Sequence, residues 1–148
     1  MTHTAQRLSV ARHDYLRAIY LIERDHRLPV TTTRLAATLS VSVPSATAML
    51  KKLGAHGYVE HVPYHGARLT PHGEAVALEL VRHHRLIELY LADTLGLDPD
   101  ALHTEADRLE HALSDELARV IDTALGHPTH DPHGQPIPRS SVADGASP

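Results

Sequence analysis

The chain has no cysteine, tryptophan or phenylalanine, and its only large aromatic side chains are five tyrosines in 148 residues. The lack of thiols excludes disulfide scaffolds, thiolate zinc sites and cysteine nucleophiles together. The lack of Trp and Phe argues against the stacking platforms that hold single-stranded nucleic acid. A core must then be built from Leu, Val, Ile, Ala and Met, a palette that suits helices. No apolar run approaches the roughly 18 residues that cross a bilayer. The opening MTHTAQRLSVARHD also has no apolar stretch behind its charges, so a cytoplasmic protein with no membrane partner is expected. The length allows one compact domain or two small ones.

Charge is unevenly spread. The net charge of -4 hides nine Lys/Arg against four acids in residues 1–72, and five against fourteen in the rest. Such asymmetry suggests that one half meets a polyanion while the other is an acidic face or a cation site. Histidine is also abundant, with fourteen in the chain, so only spacing can promote an individual one.

Apolar Leu16, Ile19 and Tyr20 recur at helical spacing between Ser9, a possible cap, and about Arg24. After Pro29, TTTRLAATL reads as a short helix with a Thr cap and Leu35, Ala36 and Leu39 on one face. PSATAMLKKLGAHG reads as a third helix, with Pro44 in its first turn and Gly54 and Gly57 marking its end. YVEHVPYHGARL then reads as a hairpin turning at His65-Gly66. These elements compose a winged helix-turn-helix over residues 1–73. Residues 74–126 read as three helices: a long one with Val76, Leu80, Ile87 and Leu91 in a stripe, one opened by Asp98-Pro99, and one starting near Ser114. Residues 127–148, rich in Pro, Gly and Ser, are expected to form a flexible tail or linker.

In the basic half, Ser42, Ser45 and Thr47 are short polar groups suited to phosphate oxygens, with Pro44 among them in the turn entering the helix, while Ala46 and Ala48 leave room for thymine methyls. Arg34, Lys51, Lys52 and, on the hairpin, Arg68 would supply phosphate attraction. The blander alternative is a small subdomain with solvated cations.

In the acidic half, His103, Asp107, Glu110 and His111 fall at i, i+4, i+7 and i+8, on one helical stripe. His84 and Glu88 form a further i, i+4 pair, whereas His83 points about 100° away around the helix and is set aside. Carboxylates this closely packed repel one another unless a cation neutralises them. A donor set of imidazoles and carboxylates suits Mn(II), Fe(II), Co(II) or Zn(II).

The string HHRLIELYLADTLGLDPDALHTEADRLEHALSDEL, with HDYLRAIY before it and GQPIP after it, resembles the diphtheria toxin repressor and manganese transport regulator family over roughly residues 9–138. The HRLxE, HxEAD and EHxxSDE segments carry the resemblance. It implies a mainly α protein: a winged helix-turn-helix domain followed by an all-helical metal-binding and dimerisation domain. It also implies a homodimer that binds double-stranded palindromic operator DNA when loaded with a divalent ion, a regulator and not an enzyme. Two ions per subunit are implied, one at His84, Glu88 and His103, the other at Asp14, Asp107, Glu110 and His111. Where iron-responsive members have a thioether and a thiol, this chain has Asp14 and Asp107, which favours Mn(II), with Fe(II) the alternative. Arg17 stands where some manganese-responsive members have an acidic ligand, which favours two separate sites. Many members carry a further SH3-like domain. Without it, the His84 site would be completed by water, an anion near Arg85, or residues beyond this chain. The competing readings are a metal-independent winged-helix regulator and a helical di-metal enzyme.

Overall fold

Eight elements follow one another along the chain: α1 (Thr2–His26), α2 (Thr32–Leu39), α3 (Val43–Ala55), β1 (Val59–Val62), β2 (Gly66–Leu69), α4 (Pro71–Asp93), α5 (Pro99–Glu110) and α6 (Asp115–Ala124). They come from a computed structural model that describes residues 2–140, with side chains from residue 10. The Ser9 side chain and residues 141–148, parts of the expected first cap and tail, lie outside the described residues. The chain divides into two compact units, residues 1–78 and 79–148, and α4 crosses from one to the other.

In the first unit, α1 begins earlier than its apolar stripe predicts and runs through Ser9. No glycine or proline interrupts residues 2–26, and extending a helix costs far less than nucleating one. It stops where Arg27 adopts φ 54° just before Pro29. Helix α2 is opened by Thr31, whose hydroxyl accepts from Arg34 N at 3.1 Å. It is closed by Ser40 at φ 55°, with Ser40 N and Val41 N returning to Ala37 O and Ala36 O. This pair of bonds satisfies carbonyls that the helix end would otherwise orphan. Ser42 then opens α3. The core gathers Leu16, Ile19, Leu35, Ala46 and Leu53, each at most 1% exposed. Burying a side chain of leucine size contributes roughly 1.5–3 kcal/mol.

The hairpin pairs Val59 with Leu69 and Val62 with Gly66. Its turn occupies Pro63, Tyr64 and His65, slightly earlier than the expected His65-Gly66, because Tyr64 takes the left-handed conformation, at φ 66°. Gly66 instead opens β2 at φ 118°, where a Cβ would lie 2.2 Å from Val30 O. That close approach lets Val30 and Ala67 exchange backbone hydrogen bonds of 2.8 and 2.9 Å, seating the hairpin beside the α1–α2 connection.

In the second unit, α4 is buried on more than one side. Leu86 and Leu89 pack with Ala118 of α6 and Ile137, whereas Ile87 and Leu91 pack with Leu102 and Ala106 of α5. Of the expected stripe, Leu80, Ile87 and Leu91 are buried and Val76 is half-buried. Asp98 caps α5 with Pro99 in its first turn, and Ser114 caps α6.

The expected flexible tail differs most. Residues 128–138 fold back onto the unit: His130 bridges to Pro136, Ile137 N donates to Thr129 O at 2.8 Å, and Ile137 is buried. The Asp131 carboxylate holds the turn by accepting from His133 N and Gln135 N. Arg82 and Arg85, buried on α4, donate to the carbonyls of Pro138 and Pro136. Composition suggested a linker because it counts apolar residues, and this segment is anchored by one isoleucine and its own carbonyls. The helical domain therefore continues past residue 126.

Candidate metal centre and nucleic-acid interface

One turn of α4 places His84 and Glu88 on the same face, and one turn of α5 does the same for His103 and Asp107. The two faces meet. His84 Nε2 lies 2.9 Å from Glu88 Oε1, and its Nδ1 lies 3.0 Å from Glu110 Oε2 and 3.3 Å from Asp107 Oδ1. His103 Nδ1 is 3.4 Å from Glu88 Oε1, and its Nε2 is 3.3 Å from Asp107 Oδ2. Donor atoms of His84, Glu88 and His103 all lie within 4.8 Å of one another, as do those of His84, Asp107 and Glu110. His84 thus belongs to both sets. His111, the cap residue of α5, places Nε2 3.4 Å from Glu110 Oε1. Arg108 is turned outward, where it pairs with Glu105 at 2.8 Å.

The electrostatics fit a cation. Glu88 and Glu110 are each 2% exposed. Glu88, Asp107 and Glu110 converge on the same imidazoles, and a cation among them would offset their mutual repulsion. Burial alone would pull the His84 pKa down, but the hydrogen bonds to Glu110 and Glu88 outweigh it and push it up to about 9. Burial raises the Glu88 pKa, and the partnership with His84 and His103 overrides this to leave it lowered. The donors are imidazole nitrogens and carboxylate oxygens, a set suited to Mn(II), Fe(II), Co(II) or Zn(II).

Two nearby groups are not evident from sequence. His133 Nδ1 lies 3.5 Å from Glu88 Oε2, and Glu88, Asp131 and His133 present donors within 4.8 Å. Their signal is present in HDPHGQP, a tight turn with two potential donors, but a tail expected to be flexible gives it no position. Asp14 is half-buried on α1, in the first unit.

On the DNA-binding side, Pro44, Thr47, Ala48 and Lys51 are exposed at i, i+3, i+4 and i+7 of α3, while Ala46 and Leu53 face the core. Ala46 is fully buried, so only Ala48 keeps the room for a thymine methyl that was expected of both. The Ser42 hydroxyl accepts from Ser45 N at 3.2 Å and donates to Ser45 Oγ at 2.8 Å. Its role is to cap, which leaves the Ser45 hydroxyl proton for a ligand. Arg34, Lys52 and Arg68 are exposed, and Arg34 Nη2 also contacts His26 Nε2. Arg68 stands across the hairpin from Glu60. Tyr64, fully exposed at the hairpin tip, is not singled out by a turn expected one step later.

Comparison with known proteins is consistent with this geometry. Residues 7–67 match the model of the iron dependent repressor N-terminal DNA binding domain, and residues 70–139 that of the iron dependent repressor metal binding and dimerisation domain. The chain is 41% identical over 110 residues to an uncharacterised helix-turn-helix transcriptional regulator of Methanocaldococcus jannaschii, covering 74% of this chain and 88% of that one. It is 38% identical over 124 residues to the diphtheria toxin repressor of Corynebacterium efficiens, covering 84% of this chain and 54% of that protein. Among solved structures, a manganese-dependent transcriptional repressor in complex with manganese superposes with a TM-score of 0.81 at 41% identity, covering 87% of this chain and 59% of that one. The chain spans about half the length of that diphtheria toxin repressor. With both domain models matched in order, the chain belongs to the iron-dependent repressor family of transcriptional regulators.

Proposed function

We propose that the chain is a metal-activated repressor that binds a palindromic operator as a cytoplasmic homodimer and controls metal homeostasis, with Mn(II) the favoured ion. The observation that carries this is the pairing of a buried, net-acidic imidazole and carboxylate cluster around His84 with an exposed polar face on α3 in the same chain. The donor set without thiolate or thioether leans toward harder ions, which favours Mn(II) over Fe(II). The similarity to a manganese-dependent repressor supports the same choice.

Two ions per subunit are part of this reading. His84, Glu88 and His103 would hold one, with His133 at its edge a donor from the chain itself. Asp14, Asp107, Glu110 and His111 would hold the other. A bound divalent ion supplies the positive charge that these carboxylates lack. Asp14 belongs to the basic half of the sequence and its three partners to the acidic half, so without that charge they repel one another. With it, Asp14 is drawn to the acidic set and the ensemble shifts toward the DNA-competent arrangement, a coupling that runs in both directions. Lys51, Lys52, Arg34 and Arg68 then attract phosphates, while Ser45 and Thr47 make close polar contacts to phosphate oxygens.

The test is a mobility shift on the upstream region of a metal-transporter operon, with chelator or with Mn(II), Fe(II), Co(II) or Zn(II) at controlled free concentration. Binding that requires metal, appears at the lowest free Mn(II), and is lost in Asp14→Ala with the fold retained is the expected result. Equal binding with chelator would leave a metal-independent regulator.

A further inference from the structure

The histidine set aside by helical spacing has its own surroundings. His83 projects from a different side of α4 than His84, and its side chain is only 9% exposed. Its Nε2 is buried and, among the described residues, finds no hydrogen-bond partner of acceptable geometry. That nitrogen lies 3.3 Å from Asp115 Oδ1 and 3.7 Å from Glu79 Oε2. One donor atom from each of Glu79, His83 and Asp115 lies within 4.8 Å of the other two. Glu79 is one turn before His83 on α4, and Asp115 is the first residue of α6, where Ser114 and not Asp115 performs the capping.

We propose that Glu79, His83 and Asp115 form a third divalent-cation site, separate from the His84 centre, which takes a borderline ion such as Zn(II) and clamps the start of α6 to α4. Two carboxylates converging on a buried imidazole nitrogen are explained by a positive charge between them. The spacing suits coordination. Donors about 2.05 Å from a tetrahedral Zn(II) sit about 3.3 Å apart, close to the distances from Nε2. Three protein donors leave a position open to water, and the exposed edge at Asp115 gives an entry path. The set of one imidazole and two carboxylates, with no thiolate, favours Zn(II) or Co(II) over Cu(I).

The competing explanation is a plain ion pair, in which a proton on His83 does the work of the metal. Zinc added to the full chain, labelled with ¹⁵N in its histidine rings, separates the two. The expected result is that Zn(II) moves the His83 Nε2 resonance in the wild type and not in Asp115→Asn, with equilibrium dialysis showing one fewer Zn(II) bound at saturation in Asp115→Asn. Because Asp115 is a surface residue, this variant keeps its fold, which circular dichroism verifies. The response should persist in a Glu88→Gln/Glu110→Gln double variant, in which the centre assigned to repression is disabled. An unmoved His83 resonance at saturating Zn(II), equal stoichiometry in the two proteins, or loss of the response in the double variant would each overturn the proposal. Operator binding that needs no metal would overturn the repressor reading alone and leave this site standing.

Discussion

Loading the His84 centre with an ion should expel a proton. His84 donates from both ring nitrogens, to Glu88 and Glu110, so the metal-free arrangement holds an imidazolium with a pKa near 9. A metal must take one of those nitrogens as a lone-pair donor, and the proton has to leave. At pH 7 the difference between about 9 and 7 is about two pKa units, or about 2.7 kcal/mol, so the apparent affinity is about 100-fold below its limit. Affinity should rise about tenfold per pH unit and level off near pH 9. The same shift has a consequence for the metal-free protein. A histidine pKa raised from about 6.5 to about 9 adds stability that is fully present below the lower value and lost as pH rises through the upper one, about 3 kcal/mol in all. Calorimetric Mn(II) titrations at pH 7 to 8, in two buffers of different ionisation enthalpy, measure the proton count directly. Thermal melts with chelator follow the stability. One proton released for the ion that enters the His84 centre and a melting temperature that falls from about pH 6.5 to about pH 9 are expected. Glu110→Gln, which removes one partner of the imidazolium, should shift both profiles to lower pH. Affinity independent of pH between about 7 and 9 would refute the assignment of His84 as the proton-holding ligand.

Three further outcomes follow from the packing and the exposed cations. Lys51→Ala should weaken binding to all DNA sequences alike and lower the slope of log K against log salt by about 0.9 for each phosphate left without its cation, read by fluorescence anisotropy at several salt concentrations; an unchanged slope would mean that Lys51 neutralises no phosphate. Ile137→Ala should destabilise the protein by about 2 to 4 kcal/mol in denaturant melts, since the side chain is 8% exposed and packed on Leu86, Leu89 and Ala118, whereas a loss below about 0.5 kcal/mol is what a detached tail would give. Gly66→Ala should cost more than about 1 kcal/mol in the same melts, because φ is 118° and the new methyl would meet Val30 O at 2.2 Å; a neutral effect would mean that the Val30–Ala67 bridge does not fix the hairpin.

Much of this architecture can be read from local signals because those signals act locally. Thr31, Ser42, Asp98-Pro99 and Ser114 start helices through bonds within three residues of themselves, so sequence alone places the starts of α2, α5 and α6, whereas Ser42, read as a phosphate contact, shows its capping role only in the structure. The i, i+4 pairs His84/Glu88 and His103/Asp107 can be read for the same reason, since helical pitch decides which side chains share a face. That α4 and α5 turn those faces toward each other is implied by the family resemblance and seen in the structure, not decided by either stripe alone. Where sequence falls short, the deciding neighbour comes from elsewhere in the chain. Ala46 looks like a groove residue beside Ala48, yet the core that gathers Leu16, Ile19 and Leu35 from other helices decides which of the two is buried. His83 is correctly kept away from the His84 cluster by its 100° offset, but nothing on α4 reveals that Asp115 of α6 lies against it.

Residues 128–138 show why composition misleads for such segments. Pro136 and Pro138 lack N–H groups, so this stretch cannot form a regular ladder and reads as linker. Their carbonyls remain acceptors, however, and Arg82 and Arg85 are buried donors that need acceptors. Each solves the other's problem: the prolines hold an extended conformation at little entropic cost while the guanidinium groups satisfy the carbonyls. Asp131, by accepting from His133 N and Gln135 N, fixes the turn that places the His133 ring beside Glu88. A segment that looks dispensable by composition therefore sets the edge of the proposed metal centre, and its order depends on the buried arginines of α4.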